Sequence, residues 1–195
     1  MSNANAPFGF RPVMYKNGAP WNGKYNVYYI PVGNSSILYE GDAVTAGGSA
    51  SADGKYPDIA RAAASDVIQG VVIGFGPSPD LMFQIDNLTR RYWPISTAGY
   101  AAVIDDPDVI FEIQEDSDGG AIAVTAVGNN ADLVATAGST TTGRSAMSLD
   151  SSDVKTATAQ LRILRLADHP DNVLGLYARW LCLINEHIYK QAAGL

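Results

Sequence analysis

Charge is what this chain has least of. Only 17 % of its 195 residues are Asp, Glu, Lys or Arg, where a typical soluble domain carries about 25 %. Gly, Ala, Ser, Thr and Asn fill the deficit, and such a surface suits burial against partners. Positive charge is the scarcer sign: 13 Lys and Arg face 20 Asp and Glu, for a net charge of −7. This argues against non-specific nucleic-acid binding, which needs a basic face to displace counterions, and against a polybasic membrane contact. The single cysteine, Cys182, excludes an intrachain disulfide. It lies in the apolar run WLCLI, where a buried small hydrophobe is expected. No apolar run approaches the ~20 residues that span a bilayer. The N-terminus has no basic region followed by an apolar core. A soluble protein made in a cytoplasm is the expectation. Helical periodicity is weak throughout.

What is present is strand signal. Short β-prone runs, separated by Gly and Pro turns, fall at residues 25–32, 37–44, 56–62, 67–75, 99–104, 109–114, 157–166 and 178–187. Asp53-Gly54 is a hairpin-turn signal. Residues 121–127 fit a strand or a short helix, and GSTTTG at 138–143 reads as a loop. The expected fold is mainly β: a compact antiparallel barrel or sandwich with little helix. Residues 1–26 read as an extended N-terminal arm, because Pro7, Pro12 and Pro20 break any helix. Its Phe8, Phe10, Met14, Tyr15, Trp21 and Tyr25 are too apolar for a disordered tail. It should pack onto its own domain or a neighbouring subunit. Residues 27–195 form the single β-rich domain, with room for a loop-rich insertion around residues 76–98.

Seven carboxylates lie between Asp105 and Asp118, with no basic residue among them. Asp116-x-Asp118-Gly119 resembles the start of a calcium loop, but Val127 stands where the bidentate Glu belongs. Asp105, Asp106 and Asp108 flank the turn at Pro107, where Asp side chains usually bond turn amides. A solvated acidic edge is the favoured reading of these turn aspartates. Glu112 and Glu115 fall on opposite sides of a regular strand, which weakens a shared glycosidase site. His169 and His187 are the only histidines. They have no zinc spacing and no G-x-S-x-G elbow, and read as surface residues. Gly74 to Pro79 begins like a dinucleotide loop and fails at its last glycine. Arg90-Arg91-Tyr92-Trp93 suits an interface or cation–π contact better than a nucleotide site. No catalytic residue, metal or cofactor is assigned.

The ordered set NANAPFGFRPV, PWNG, KYNVYYIPV, EGDAV, VIQGVVIGF, DDPDVIFEIQED, ADLVATAGSTTTG, LRILRL and HPDNVLGLYARWLCLIN spans nearly the whole chain. As a set it resembles the head decoration, or capsid cement, proteins of tailed bacteriophages. That resemblance implies a non-enzymatic virion protein on the outer capsid surface, with the major capsid protein and two further copies of itself as partners. It implies a homotrimer of β domains with an arm. The expected mechanism is that the arm, residues 1–26, clamps neighbouring capsid subunits after shell expansion, with Phe8, Phe10, Trp21 and Tyr25 as anchors. Arg11, Arg91, Trp93, Asp105, Asp106 and Asp108 join these as capsid or subunit contacts. On that mechanism, deleting residues 2–20 leaves a folded trimer that no longer binds heads. The rivals are another virion component, such as a capsid or head–tail completion protein, and a carbohydrate-binding or carbohydrate-active β protein.

Overall fold

The computed structural model describes residues 2–82 and 91–191. The strands are β1 (Arg11–Tyr15), β2 (Asn26–Ile30), β3 (Leu38–Tyr39), β4 (Ala43–Ala50), β5 (Pro57–Arg61), β6 (Gly70–Gly76) and β7 (Tyr92–Trp93). They continue with β8 (Gly99–Ile104), β9 (Val109–Gln114), β10 (Asn130–Ala131), β11 (Leu133–Val134), β12 (Ser148–Leu149), β13 (Leu161–Leu166) and β14 (Arg179–Ile184). Helix among the described residues is limited to three short 3-10 turns. The mainly β expectation holds. Residues 121–127, which fit strand or helix, are a loop holding one of those turns, Val124–Ala126.

Five strands close into a barrel in the order β2-β5-β4-β6-β8. Directions can alternate around a closed ring only if the strand number is even. With five, one pair must run parallel, and that pair is β2–β5, joined at Tyr29 and Asp58. The other four pairings are antiparallel, so the barrel is mainly antiparallel, as expected. The Asp53-Gly54 signal is the turn of the β4–β5 hairpin, with Ser51 N–H donating to Tyr56 O at 2.8 Å. A second sheet runs β1-β9-β14-β13-β10, antiparallel throughout.

Side-chain alternation sorts the core into three. Val72 of β6 and Val103 of β8 point into the barrel with Tyr28, Ile59, Phe75 and Trp93. Their neighbours Val71 and Ile104 point outward, to the larger core that the barrel shares with the sheet. From the sheet side come Phe111 and Ile113 of β9 and Trp180, Cys182 and Ile184 of β14. On the sheet's far face a smaller cluster joins Ile110, Leu181 and Leu183, with Val13 and Met14 against it.

The N-terminal segment is seated on the same chain. β1 is the edge strand beside β9, with a bulge between Pro12 and Met14. Proline and a bulge are both tolerated at an edge because no ladder donor is needed on the outer side. Residues 19–21 fold back over that edge: Tyr15 N–H donates to Ala19 O and Trp21 N–H to Val13 O. Phe10 is buried in the shared core, edge-on to Phe111 at 6.0 Å between centroids. The preceding Gly9 has φ +73°, and a Cβ there would lie 2.4 Å from Gly41 O. Residues 2–20 therefore contribute a strand and a core residue. This corrects the expectation that their deletion leaves the fold intact.

Candidate functional site

Six of the ten contact candidates converge on one face. Phe8, Phe10, Arg11 and Arg91 line a hollow of about 130 Å³ with Glu40 and Arg144. Arg11, Trp21 and Tyr25 line a neighbouring one of about 480 Å³, again with Glu40. The sequence separates these residues by up to 83 positions; strand β1 and the β3–β7 pair bring them together. Leu38 pairs with Trp93 and Tyr39 with Tyr92, which sets Arg91 beside Glu40 at 3.6 Å. Arg90 and part of the 76–98 insertion lie outside the described residues.

Arg11 is the hub of the face. Its guanidinium lies 4.4 Å above the Phe8 ring, a cation–π geometry. It also meets the carboxylate of Glu112, its cross-strand partner, at 3.5 Å. Glu112 is buried on the outer face of the sheet, where Arg179 at 3.7 Å and His169 at 3.3 Å complete its surroundings. Arg179 also pairs with Asp171, whose carboxyl that hydrogen bond holds below the ordinary range. Neighbouring Gln114 ties down the N-terminus. It donates to Ala4 O and Tyr177 O and accepts from Ala6 N–H. Asn3 in turn exchanges hydrogen bonds with the loop at Val173 and Leu176.

The other four candidates sit elsewhere. Trp93 is a barrel-core residue, stacked on Phe75 at 6.1 Å, with its indole N–H donating to Thr97 O. Asp105 is buried. Its carboxylate accepts from Asn26 at 2.9 Å, the Tyr28 hydroxyl at 2.7 Å and the Tyr189 hydroxyl at 3.3 Å. It latches β2 and the C-terminal turn to the end of β8. Asp106 and Asp108 are exposed, and Asp106 caps its own turn by accepting from Asp108 N–H.

The turn aspartates read as a solvated acidic edge are thus divided: Asp106 and Asp108 are exposed, and the reading is corrected for Asp105. Asp105, Glu112 and Glu115 are buried against specific donors. Glu115 accepts from the Trp180 indole at 2.9 Å, Ile122 N–H and the Ser117 hydroxyl, and burial raises its carboxyl above the ordinary range. Glu112 and Glu115 do lie on opposite faces of the sheet, so they share no cleft. His187, read as a surface residue, is fully buried. Its Nδ1 accepts from Tyr189 N–H, and its Nε2 has no partner among the described residues. His169 is exposed as expected.

Asp116, Asp118 and Asp150 bring carboxylate oxygens within 4.8 Å of one another, the one such acidic group among the described residues that could hold a cation. Asp116 and Asp150 already accept turn amides, from Ser151 N–H and from Ser152 and Asp153 N–H respectively. The third carboxylate comes from a distant turn, unlike the contiguous loop of a calcium hand.

Sequence reasoning did not single out Asn3, Glu40, Arg144 or Arg179 for this face. Asn3, Glu40 and Arg179 lie in separate segments of the resembling set and Arg144 in none, and only the folded topology gathers them. No family model matches the chain, no curated protein matches it, and no solved structure matches it.

Proposed function

We propose that this chain is a structural protein of a tailed-phage head, a trimer that binds the outer capsid surface and cements neighbouring capsid subunits. The observation that carries this reading is the ordered set of segments resembling capsid cement proteins along nearly the whole sequence. The mainly β architecture and the face of fixed aromatic and arginine side chains support it. Interfaces draw their strength from such residues, Trp, Tyr and Arg above all.

The structure reshapes the proposed mechanism. Phe10 stabilises the domain and is not free to anchor a neighbour. Contact falls instead to the outward side of the N-terminal segment, to Phe8, Arg11, Trp21 and Tyr25 with Arg91 beside them. The segment arrives pre-ordered, so little conformational entropy is lost on docking. Addition to heads lacking the protein, followed by sedimentation, tests the reading. Co-sedimentation as a trimer supports it. A monomer that ignores heads and binds glycans favours the carbohydrate-binding alternative.

A further inference from the structure

Beside the Phe8 hollow lies a second one of about 400 Å³, and the two share Phe8, Arg11 and Arg144. Arg91 lines the first and Arg179 the second. Four of the chain's eight arginines thus line one continuous groove, with no lysine among the lining residues, in a protein of net charge −7. The fixed acids nearby are Glu40, Asp171 and the buried Glu112, three against four guanidiniums. The surplus resides at Arg144, which is exposed and whose side chain has no ion pair or hydrogen bond among the described residues.

The other three arginines are held in place. Phe8 and Glu112 fix Arg11, Glu112 and Asp171 fix Arg179, and Glu40 restrains Arg91. A planar fork held in advance loses less freedom when it grips a carboxylate in bidentate fashion. We infer that this groove binds a carboxylate-bearing protein segment, with Arg144 as its principal charge contact and Arg11 and Arg179 flanking it. A nucleic-acid backbone is disfavoured: Glu40 and Asp171 on the walls, and the overall negative charge, repel a continuous run of phosphates. The apolar wall at Pro7 and Phe8 suits a peptide's methylene groups. The inference deepens the assembly reading and rests on it only for taking the partner to be a protein surface.

The test is calorimetric titration of the full-length protein at low salt with an acetylated hexapeptide carrying two glutamates among alanines, with inorganic phosphate and oligothymidylate run in parallel. The expected result is salt-sensitive peptide binding, weakened about tenfold by Arg144→Gln, the loss of one charge-assisted contact. Lys55→Gln, which removes a charge on the β4–β5 turn, should leave it unchanged. Arg144 supports the fold through its backbone bridges to Glu40 and Ser139, which glutamine keeps, so the variant retains its fold. Absence of peptide binding, binding indifferent to Arg144→Gln, or equally tight binding of phosphate or oligothymidylate would each overturn the inference. None of these results bears on whether the protein binds heads, so the two proposals fail separately.

Discussion

Phe8 and Phe10 are two residues apart, and the fold gives them different tasks. Phe10 fills the core shared by barrel and sheet, whereas Phe8 is half-buried beneath Arg11. Phe10→Ala should cost about 3–5 kcal/mol, the usual range for emptying an aromatic core site. Phe8→Ala should cost about 1 kcal/mol, mainly the lost contact with the guanidinium. Urea unfolding of the two variants checks both; equal losses would contradict the assignment. The sequence marks both residues as large and apolar in a proline-broken segment, but not which one turns inward. That choice is made by the close crossing at Gly9 and Gly41, where Phe10 N–H donates to Gly41 O at 2.9 Å.

His187 makes a second prediction at this scale. Burial, aided by the Lys190 charge and opposed by those of Asp105 and Asp106, lowers its pKa to about 4 from an ordinary 6.5. A depressed folded-state value means that stability is present above pH 6.5 and is lost as pH falls through 4. At about 1.4 kcal/mol per unit between the two values, full protonation removes up to about 3 kcal/mol. The loss of urea midpoint between pH 7 and pH 4 should therefore be smaller in His187→Gln than in the natural protein. The same fall in both would refute the role.

Among elements, the interior strands were the most legible. Residues 99–104 and 109–114 are strands in full, since continuous β-prone runs bounded by Gly and by the Asp-Pro turn leave little choice. β1 was not legible as a strand: Pro12 argues against a central position, and only pairing with β9 makes an edge strand of it. β10, β11 and β12 are two residues each, too short for any periodic signal. The tie between the N-terminus and the sheet was likewise hidden, because Gln114 reaches Ala4 and Ala6 across more than a hundred positions. Gln114→Ala should release that segment while leaving β1 paired. Hydrogen exchange should quicken at the Ala6 amide and stay slow in β9 and β14, with a global loss of about 1–3 kcal/mol for the unsatisfied groups. Unchanged exchange at Ala6 would contradict the tie.

For the whole molecule, the barrel and the sheet share one core, and the N-terminal segment is built into it through β1 and Phe10 while its outward side lies on the surface. Composition foretold the scarcity of charge, and the fold shows how unevenly the charge is spent. Three carboxylates of the acidic stretch are buried as structural ties, and half the arginines gather along one groove. A protein that cements a shell would present that groove and the adjoining aromatic hollow to its neighbours. Electron cryomicroscopy of phage heads assembled with and without this protein is the most direct measurement. The account predicts three-fold density on the outer capsid surface, present only when the protein is, with the face of Phe8, Arg11 and Tyr25 against capsid subunits. Heads of identical density in both preparations would contradict it.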